Sequence, residues 1–205
     1  MNQLTVGGII KNAIQIGLQN SVSIMGAVIL WLLTIWIPYI NVGTTIAMVG
    51  LVVALSKGGV ISPTEIFDSK YRKSMGEFFI LIAFIAIGTL TGYLFLVIPG
   101  IVISIAWGQA LYLLIDKNMN PSEALTESNR ITYGKKWTIF FGELILALII
   151  LAIIMLIIGI LNTVSDVLTI IFGVIGYLVY FSIIMAAKGY IYGQLTKEPE
   201  TSQNA

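Results

Sequence analysis

The sequence predicts an all-α integral membrane protein whose six transmembrane helices form three hairpins, each preceded by a short interfacial amphipathic helix. Of its 205 residues, 58% are hydrophobic and 10% are charged, whereas a soluble domain has about 45 to 50% apolar and about 25% charged residues. The charged residues also cluster in short segments between long apolar runs. A water-soluble fold could not bury this apolar excess, so most of the chain is expected to face lipid.

Six apolar runs form the predicted spans, because about 20 helical residues cross the roughly 30 Å hydrocarbon layer. They are residues 21–40, 42–55, 78–98, 101–115, 137–161 and 164–187. The runs 42–55 and 101–115 are the shortest, and they are expected to tilt little or to thin the bilayer locally.

The basic residues predict the orientation, since cytoplasmic loops of membrane proteins collect Lys and Arg. With six spans, all 11 basic residues fall in the amino-terminal segment, the second and fourth connections and the carboxyl end. The turns near Asn41, Gly100 and Asn162 contain none. We therefore expect a multi-pass protein of the cytoplasmic (plasma) membrane with both termini in the cytoplasm.

The composition also excludes several kinds of chemistry. The chain has no cysteine and no histidine, which removes disulfides, thiolate and imidazole metal sites and histidine-dependent triads. The net charge of +1 gives no reason to expect nucleic acid as a partner. We therefore expect no catalytic residue, no metal and no cofactor, and the lipid bilayer as the principal partner.

A threefold pseudo-repeat is predicted within one membrane domain, residues 1–195, with copies at about 3–56, 60–116 and 118–195 and a disordered polar tail at 196–205. Two helix-start signals match closely, each with a capping residue, a proline at the first helical position and a glutamate at the third. They are SPTEIF at 62–67 and NPSEAL at 120–125. Thr5 begins a weaker first copy. Repeats can build a transport path, but no span carries a matched set of polar residues at its midplane, which favours a stable bundle.

Two charged residues within the last two predicted helices are candidate functional residues. Glu143 is the only carboxylate inside a span and away from its ends, since Asp166 stands at the turn that begins the last span, and Lys188 lies at a comparable depth near the cytoplasmic end of the sixth helix. Intramembrane charge costs roughly 2.5 to 3.5 kcal/mol at the bilayer centre, so such residues are functional suspects. Our hypothesis is that they pair and stabilise the final hairpin; alternatively, both side chains reach the interface separately.

Uncharged polar residues form a second candidate group. Gln109 and Trp107 in the fourth span, with Tyr93, Thr89 and Thr91 in the third, could line a polar patch, although hydrogen bonds between helices explain them equally well. Small residues at four-residue spacing predict close helix packing within one bundle. These pairs are Gly88 with Gly92, Ala106 with Ala110, and Gly189 with Gly193.

Five basic residues are candidate contacts for lipid headgroups at the cytoplasmic surface. They are Lys70, Arg72, Lys73, Lys135 and Lys136. Their placement suits anionic lipid, and it equally suits simple topological anchoring, which predicts no lipid selectivity.

The region 95–140 resembles a known family. It contains LVIPGI at 96–101, PSEAL at 121–125 and GKKW at 134–137, in the order found in small membrane proteins of unknown function related to the membrane domain of glycerophosphoryl diester phosphodiesterase. A looser similarity covers residues 38–71. The resemblance implies a six-helix membrane module without catalytic residues. The chain departs from the pattern at 107–111, where such proteins often have a basic residue and a proline.

These observations predict a non-catalytic integral membrane module that binds lipid, anionic lipid in particular, or another membrane protein, in envelope homeostasis or self-protection. The alternative is a small transporter or export component, and an intramembrane enzyme ranks third.

Overall fold

The computed structural model describes residues 4–59 and 62–197, and every regular element in these two ranges is helical. The α-helices are α1 Val6–Gln19, α2 Ser21–Leu33, α3 Pro38–Ser56, α4 Met75–Phe95, α5 Val97–Ala106, α6 Ala110–Lys117, α7 Pro121–Thr132, α8 Lys136–Asn162 and α9 Asp166–Thr196. Two 3₁₀ helices, Pro63–Phe67 and Ser69–Ser74, connect α3 to α4. The predicted all-α class is confirmed. The predicted tail lies, from residue 198 onward, outside the described residues.

Five segments of the described chain are long and apolar enough to cross a membrane. They are Pro38–Ser56, Ser69–Phe95, Val97–Lys117, Lys136–Asn162 and Asp166–Thr196. A sixth is obtained when α1 and α2, which meet at a bend of 73°, are counted as one broken span. α2 alone has 13 residues, which make about 20 Å of helix and cannot cross the hydrocarbon layer. Six spans in three hairpins therefore remain a prediction.

The first turn lies earlier in the chain than the sequence predicted. The predicted first span, 21–40, includes Pro38, but the structure ends α2 at Leu33 and begins α3 at Pro38. Proline favours the first helical position because its fixed φ suits a helix and that position needs no N–H donor. Within the turn, the Thr34 hydroxyl donates to the Trp31 carbonyl at 2.7 Å and lies 2.8 Å from the Thr44 hydroxyl.

α3 is the central helix of the fold, although it contains 42–55, one of the two shortest predicted spans. Of its apolar window, 56% is buried, against 11% for α8. It packs against α6, α9 and both 3₁₀ helices. Glycine makes the closest approaches possible: a Cβ at Gly50 would lie 2.3 Å from Cε1 of Tyr71, and a Cβ at Gly189 would lie 3.0 Å from the Val52 carbonyl oxygen.

The predicted fourth span, 101–115, is longer than expected and is interrupted. Leu96 is extended and separates α4 from α5, so Pro99 and Gly100 lie in the first turn of α5 rather than in a loop. The regular α-helix then stops at Ala106 and resumes at Ala110.

The helix-start signals had different outcomes. The Thr5 hydroxyl accepts from the Gly8 N–H at 3.1 Å and caps α1. Asn120 and Glu123 form the predicted capping box of α7, because the Asn120 side chain accepts from the Glu123 N–H at 2.9 Å and the Glu123 carboxylate accepts from the Asn120 N–H at 3.3 Å. Both signals are confirmed as helix starts.

The signal at Ser62 was wrong, since two short 3₁₀ helices stand where one α-helix was expected and the Ser62 side chain caps neither. Asp68 interrupts the segment with a ψ of 130°, and its carboxylate accepts from the Lys70 N–H at 2.9 Å. This bond also lowers the pKa of the Asp68 carboxyl. The interruption allows both Ile66 and Tyr71 to be buried.

The buried part of α8 and α9 lies at their charge-rich ends. Within the described chain, no residue of α8 beyond Ile150 and no residue of α9 before Ser182 is buried. In the outer halves the two helices pack on each other, with Ile154 of α8 in van der Waals contact with the position that a Cβ at Gly176 of α9 would take. The remaining apolar surface of this hairpin is available to lipid.

Candidate functional site

The interruption between α5 and α6 is completed by a side chain from α7. The Ser128 hydroxyl donates to the Ala106 carbonyl at 2.6 Å and accepts from the Gln109 N–H at 3.1 Å. Ser128 is fully buried. It therefore satisfies two backbone groups that the break deprives of helical partners, as irregular backbone at membrane depth requires.

The two predicted polar residues of this span have different surroundings. Gln109 is 4% exposed, and its Oε1 has no hydrogen-bond partner among the described residues. Trp107 instead packs against α4, where a Cβ at Gly88 would lie 2.0 Å from its ring. Thr89 on α4 also has a buried hydroxyl without a partner in the described chain. The structure does not bring the predicted residues together as one hydrogen-bonded patch.

Glu143 and Lys188 lie close together. Lys188 Nζ donates to Glu143 Oε1 at 3.3 Å, which connects α8 to α9. The side chains are 33% and 40% exposed in the isolated chain, so the pair lies on the flank of the bundle. This geometry corresponds to the hypothesis of a stabilising pair rather than to separate side chains.

Asp116 connects three helices at the charge-rich end. Lys57, which directly follows α3, forms an ion pair with Asp116 of α6. On the other side, the Tyr192 hydroxyl of α9 donates to Asp116 Oδ2 at 2.7 Å. The Tyr192 ring also packs edge-on against Tyr112, with ring centroids 5.6 Å apart. Hydrogen bonds to a charged acceptor are stronger than neutral ones, so the bond from Tyr192 to Asp116 holds the charge-rich ends of α6 and α9 together.

A groove runs between α4, α5 and α7. Its volume is about 570 Å³, and it is lined by Phe84, Ile87, Gly88, Trp107, Ser122, Leu125, Thr126 and Asn129. The α4 wall is apolar, while α7 contributes two hydroxyls and an amide beside Leu125. The groove therefore presents an apolar surface and a polar surface side by side.

The predicted headgroup residues have unequal partners. Lys70 pairs with Glu65 at 2.8 Å and with Asp68 at 3.3 Å, so its charge is neutralised within the chain. Lys136 Nζ donates to Asn129 Oδ1 at 3.0 Å and lies 5.6 Å from the centre of the Tyr133 ring. Lys136 is therefore the basic residue that the structure places beside the groove.

The other three basic residues make weaker contacts. The aliphatic part of Arg72 packs on α3, where a Cβ at Gly43 would lie 2.9 Å from Arg72 Cγ. Within the described chain, neither Lys73 nor Lys135 forms an ion pair.

The acidic residues of α7 are engaged within their own helix. Glu123 belongs to the capping box, and Glu127 forms a bidentate pair with Arg130, both nitrogen-to-oxygen distances being 2.6 Å. This pair lowers the pKa of the Glu127 carboxyl. No group of three or more metal-ligating side chains occurs in residues 4–59 and 62–197.

Sequence reasoning missed Ser128, Asp116 and Tyr192 as site residues. Gly108 in the middle of an apolar run was the available sign of a helix break. Asp116, the one carboxylate at the end of that run, was the available sign of a buried partner. Neither sign predicts which residue of another helix supplies the hydrogen bond.

No family model, no curated protein and no solved structure matches the chain. The resemblance to the phosphodiesterase membrane domain therefore stays a prediction. The apolar helices define the class, which is that of a multi-pass helical membrane protein.

Replacing Ser128 with alanine should destabilise the fold. Ser128→Ala leaves the Ala106 carbonyl and the Gln109 N–H without partners, at a cost of about 1 to 3 kcal/mol. Thermal unfolding in detergent measures the change, and Ser122→Ala, on the exposed face of the same helix, is the matched control. Equal melting temperatures for the two variants would show that Ser128 does not support the break.

The ion pair between α8 and α9 should appear as a coupling energy. Glu143→Gln and Lys188→Met should each lower the free energy of unfolding, with a coupling of about 0.5 to 3 kcal/mol in the double mutant, because contacting residues are not additive. Denaturant unfolding in detergent provides the values. A control cycle of Glu143→Gln with Lys136→Met should be additive. Two destabilising single mutants with zero coupling would exclude the pair.

Proposed function

We propose that this chain is a non-catalytic integral membrane module that binds a phospholipid in the cytoplasmic leaflet, with the groove between α4, α5 and α7 as its site. The observation that carries the proposal is that the α4 wall of the groove is apolar while its three polar side chains, Ser122, Thr126 and Asn129, all lie on α7. A phospholipid has the same division between acyl chain and headgroup.

The apolar wall suits an acyl chain. Phe84 and Ile87 are one turn apart on α4, and both are exposed in the isolated chain. The Trp107 ring extends this apolar surface to the break between α5 and α6. A volume of about 570 Å³ falls within the range of 300 to 1,000 Å³ typical of ligand sites. Part of one lipid chain therefore fits between the helices.

The polar wall suits a phosphate-bearing headgroup. Ser122 and Thr126 contribute hydroxyls, and Asn129 contributes an amide whose oxygen already holds Lys136. Each lysine or arginine near an anionic membrane surface contributes about 1 kcal/mol of attraction. Lys136, with Lys135 beside it in the chain, supports a preference for anionic headgroups. The predicted orientation puts this wall at the cytoplasmic surface, so the experiment that tests the orientation also tests the location of the wall.

One observation favours the alternative of a small transporter or export component. Discontinuous helices with unpaired polar groups form the substrate sites of many transporters, and the α5–α6 break carries the buried Gln109 with a partnerless Oε1 in the described chain. We rank this alternative second because Ser128 already satisfies the broken backbone.

Filling the groove should displace the lipid. Thr126→Trp places a large ring on the polar wall, and we expect phosphatidylglycerol binding to weaken about tenfold or more, equivalent to about 1.4 kcal/mol. Native mass spectrometry of the detergent-purified chain, titrated with phosphatidylglycerol or phosphatidylcholine, measures binding. Thr163→Trp at the far end of α8 is the matched control and should bind like the unmodified protein.

The outcomes separate the two functions. Undiminished phosphatidylglycerol binding by Thr126→Trp would exclude the groove as the site. Solute flux in proteoliposomes that is abolished by Gln109→Leu, together with unchanged lipid binding, would favour the transporter.

A further inference from the structure

A second cavity lies at the charge-rich end and is separate from the groove. Its volume is about 400 Å³, and its walls come from the ends of α3 and α6 and from the two 3₁₀ helices. Its charged lining residues are Lys57, Asp116, Glu65 and Lys70. The cavity thus contains two cations and two anions around one space of ligand size.

The carboxylates are the fixed groups of this cavity. Asp116 has only 11% of its side chain exposed and is held by the Tyr192 hydroxyl at 2.7 Å. Glu65 has 32% exposed and accepts from the Tyr71 hydroxyl at 3.3 Å. Each carboxylate is therefore oriented by a tyrosine in addition to its lysine.

The lysines are the movable groups. The side chains of Lys57 and Lys70 are 64% and 51% exposed. Ion pairs with so much solvent contact contribute little to stability, and lysine is a flexible point charge with three donors. The Lys57 ammonium, whose one carboxylate partner in the described chain is Asp116, can therefore leave it for an anionic group in the cavity at small cost, whereas Lys70 is also held by Asp68.

This distribution selects the charge of a ligand. A lone anion would meet the two fixed carboxylates, and a lone cation would meet the two lysines. A neutral zwitterion matches both kinds of charge in the cavity. Its ammonium can replace a lysine beside a carboxylate, and its anionic group can then pair with the released lysine. A phosphate monoester is disfavoured, since it carries a charge of about −1.5 to −2 at neutral pH and would leave an excess of negative charge.

The space itself depends on a glycine. Gly50 lines the cavity beside Tyr71, and a Cβ at this position would lie 2.3 Å from the Tyr71 ring. The absent side chain lets the ring lie against α3. A side chain at residue 50 would displace the ring from this position.

We propose that this cavity binds a small neutral zwitterion that carries a primary ammonium group and a singly charged anionic group. An amino acid or short peptide has this chemistry, and so does the headgroup of phosphatidylethanolamine. The inference rests on the cavity and not on the lipid groove.

The test uses the full chain in phosphatidylcholine nanodiscs and isothermal titration calorimetry. L-alanine and glycylglycine are the zwitterionic probes, acetate and methylammonium are their singly charged halves, and glycine betaine is a zwitterion without ammonium N–H donors. We expect L-alanine or glycylglycine to bind at least about tenfold more tightly than either half or betaine, because a charged hydrogen bond is lost in each control. Absent binding of both zwitterions, or equal binding by acetate or methylammonium, would overturn the proposal.

Variants tie the binding to the cavity. Asp116→Asn should weaken zwitterion binding about tenfold or more, and Asp166→Asn, at the start of α9, is the matched control that should leave it unchanged. Lys57→Gln replaces a largely exposed side chain, so it keeps the fold and should weaken binding as well. Equal affinity for Lys57→Gln and the unmodified chain would contradict the site.

Two further comparisons identify the ligand source and separate the two sites. Nanodiscs that contain phosphatidylethanolamine should lower the apparent affinity for the soluble probe if the lipid headgroup is the ligand, and should leave it unchanged if a free zwitterion is. In either case Thr126→Trp should leave zwitterion binding intact, so failure of the lipid groove and failure of the cavity are distinguishable. Loss of probe binding in Thr126→Trp would show that the cavity is not an independent site.

Discussion

Asp116 holds together the end of the fold on which the rest depends. Hydrocarbon offers no hydrogen-bond partners, so a membrane chain must pair its polar groups internally or bring them to water. Asp116 does both, because it accepts from Tyr192 of α9 on one side and, at the carboxyl-terminal end of α6, faces a cavity where the exposed Lys57 that follows α3 pairs with it. The Glu143–Lys188 pair connects α8 to α9. With the helices joined at this end, the outer halves of α8 and α9 need only each other and lipid.

Five of the six predicted spans correspond to helices long and apolar enough to cross a membrane, because long apolar runs report on the solvent around them. The boundaries of the helices could not be predicted in this way. Hydropathy placed the first turn after Pro38, whereas the structure turns at Thr34 to Ile37 and uses Pro38 to begin α3. The run 42–55, which lies in α3, was also one of the two shortest apolar runs, and the helix is rich in small residues. Those small residues are the reason that α3 occupies the centre, where Gly50 admits the Tyr71 ring.

Helix starts were predicted correctly where they depend only on residues close together in the chain. The capping box of α7 uses two residues three positions apart, and it forms as predicted. The similar signal at Ser62 fails because Ile66 and Tyr71 are both buried, on either side of the interruption at Asp68. Hydrogen-bond partners on distant helices could not be predicted, because no local sequence pattern specifies them. Glu143 and Lys188 were suspects by their cost in lipid, but Ser128 carries no charge and is recognised only by the broken helix that it completes.

The predicted orientation puts the basic residues, the cavity and the polar side chains of the groove on one side of the membrane. The chain has no cysteine, so single introduced thiols and an impermeant maleimide measure this directly in intact cells. Gly100 is unsuitable because a Cβ there meets the Tyr93 ring, whereas Leu96 and Val164 are 69% and 70% exposed. Leu96→Cys and Val164→Cys should react from outside, and Thr126→Cys should react only after permeabilisation. Labelling of Thr126→Cys in intact cells at the rate of Leu96→Cys would contradict the one-sided arrangement.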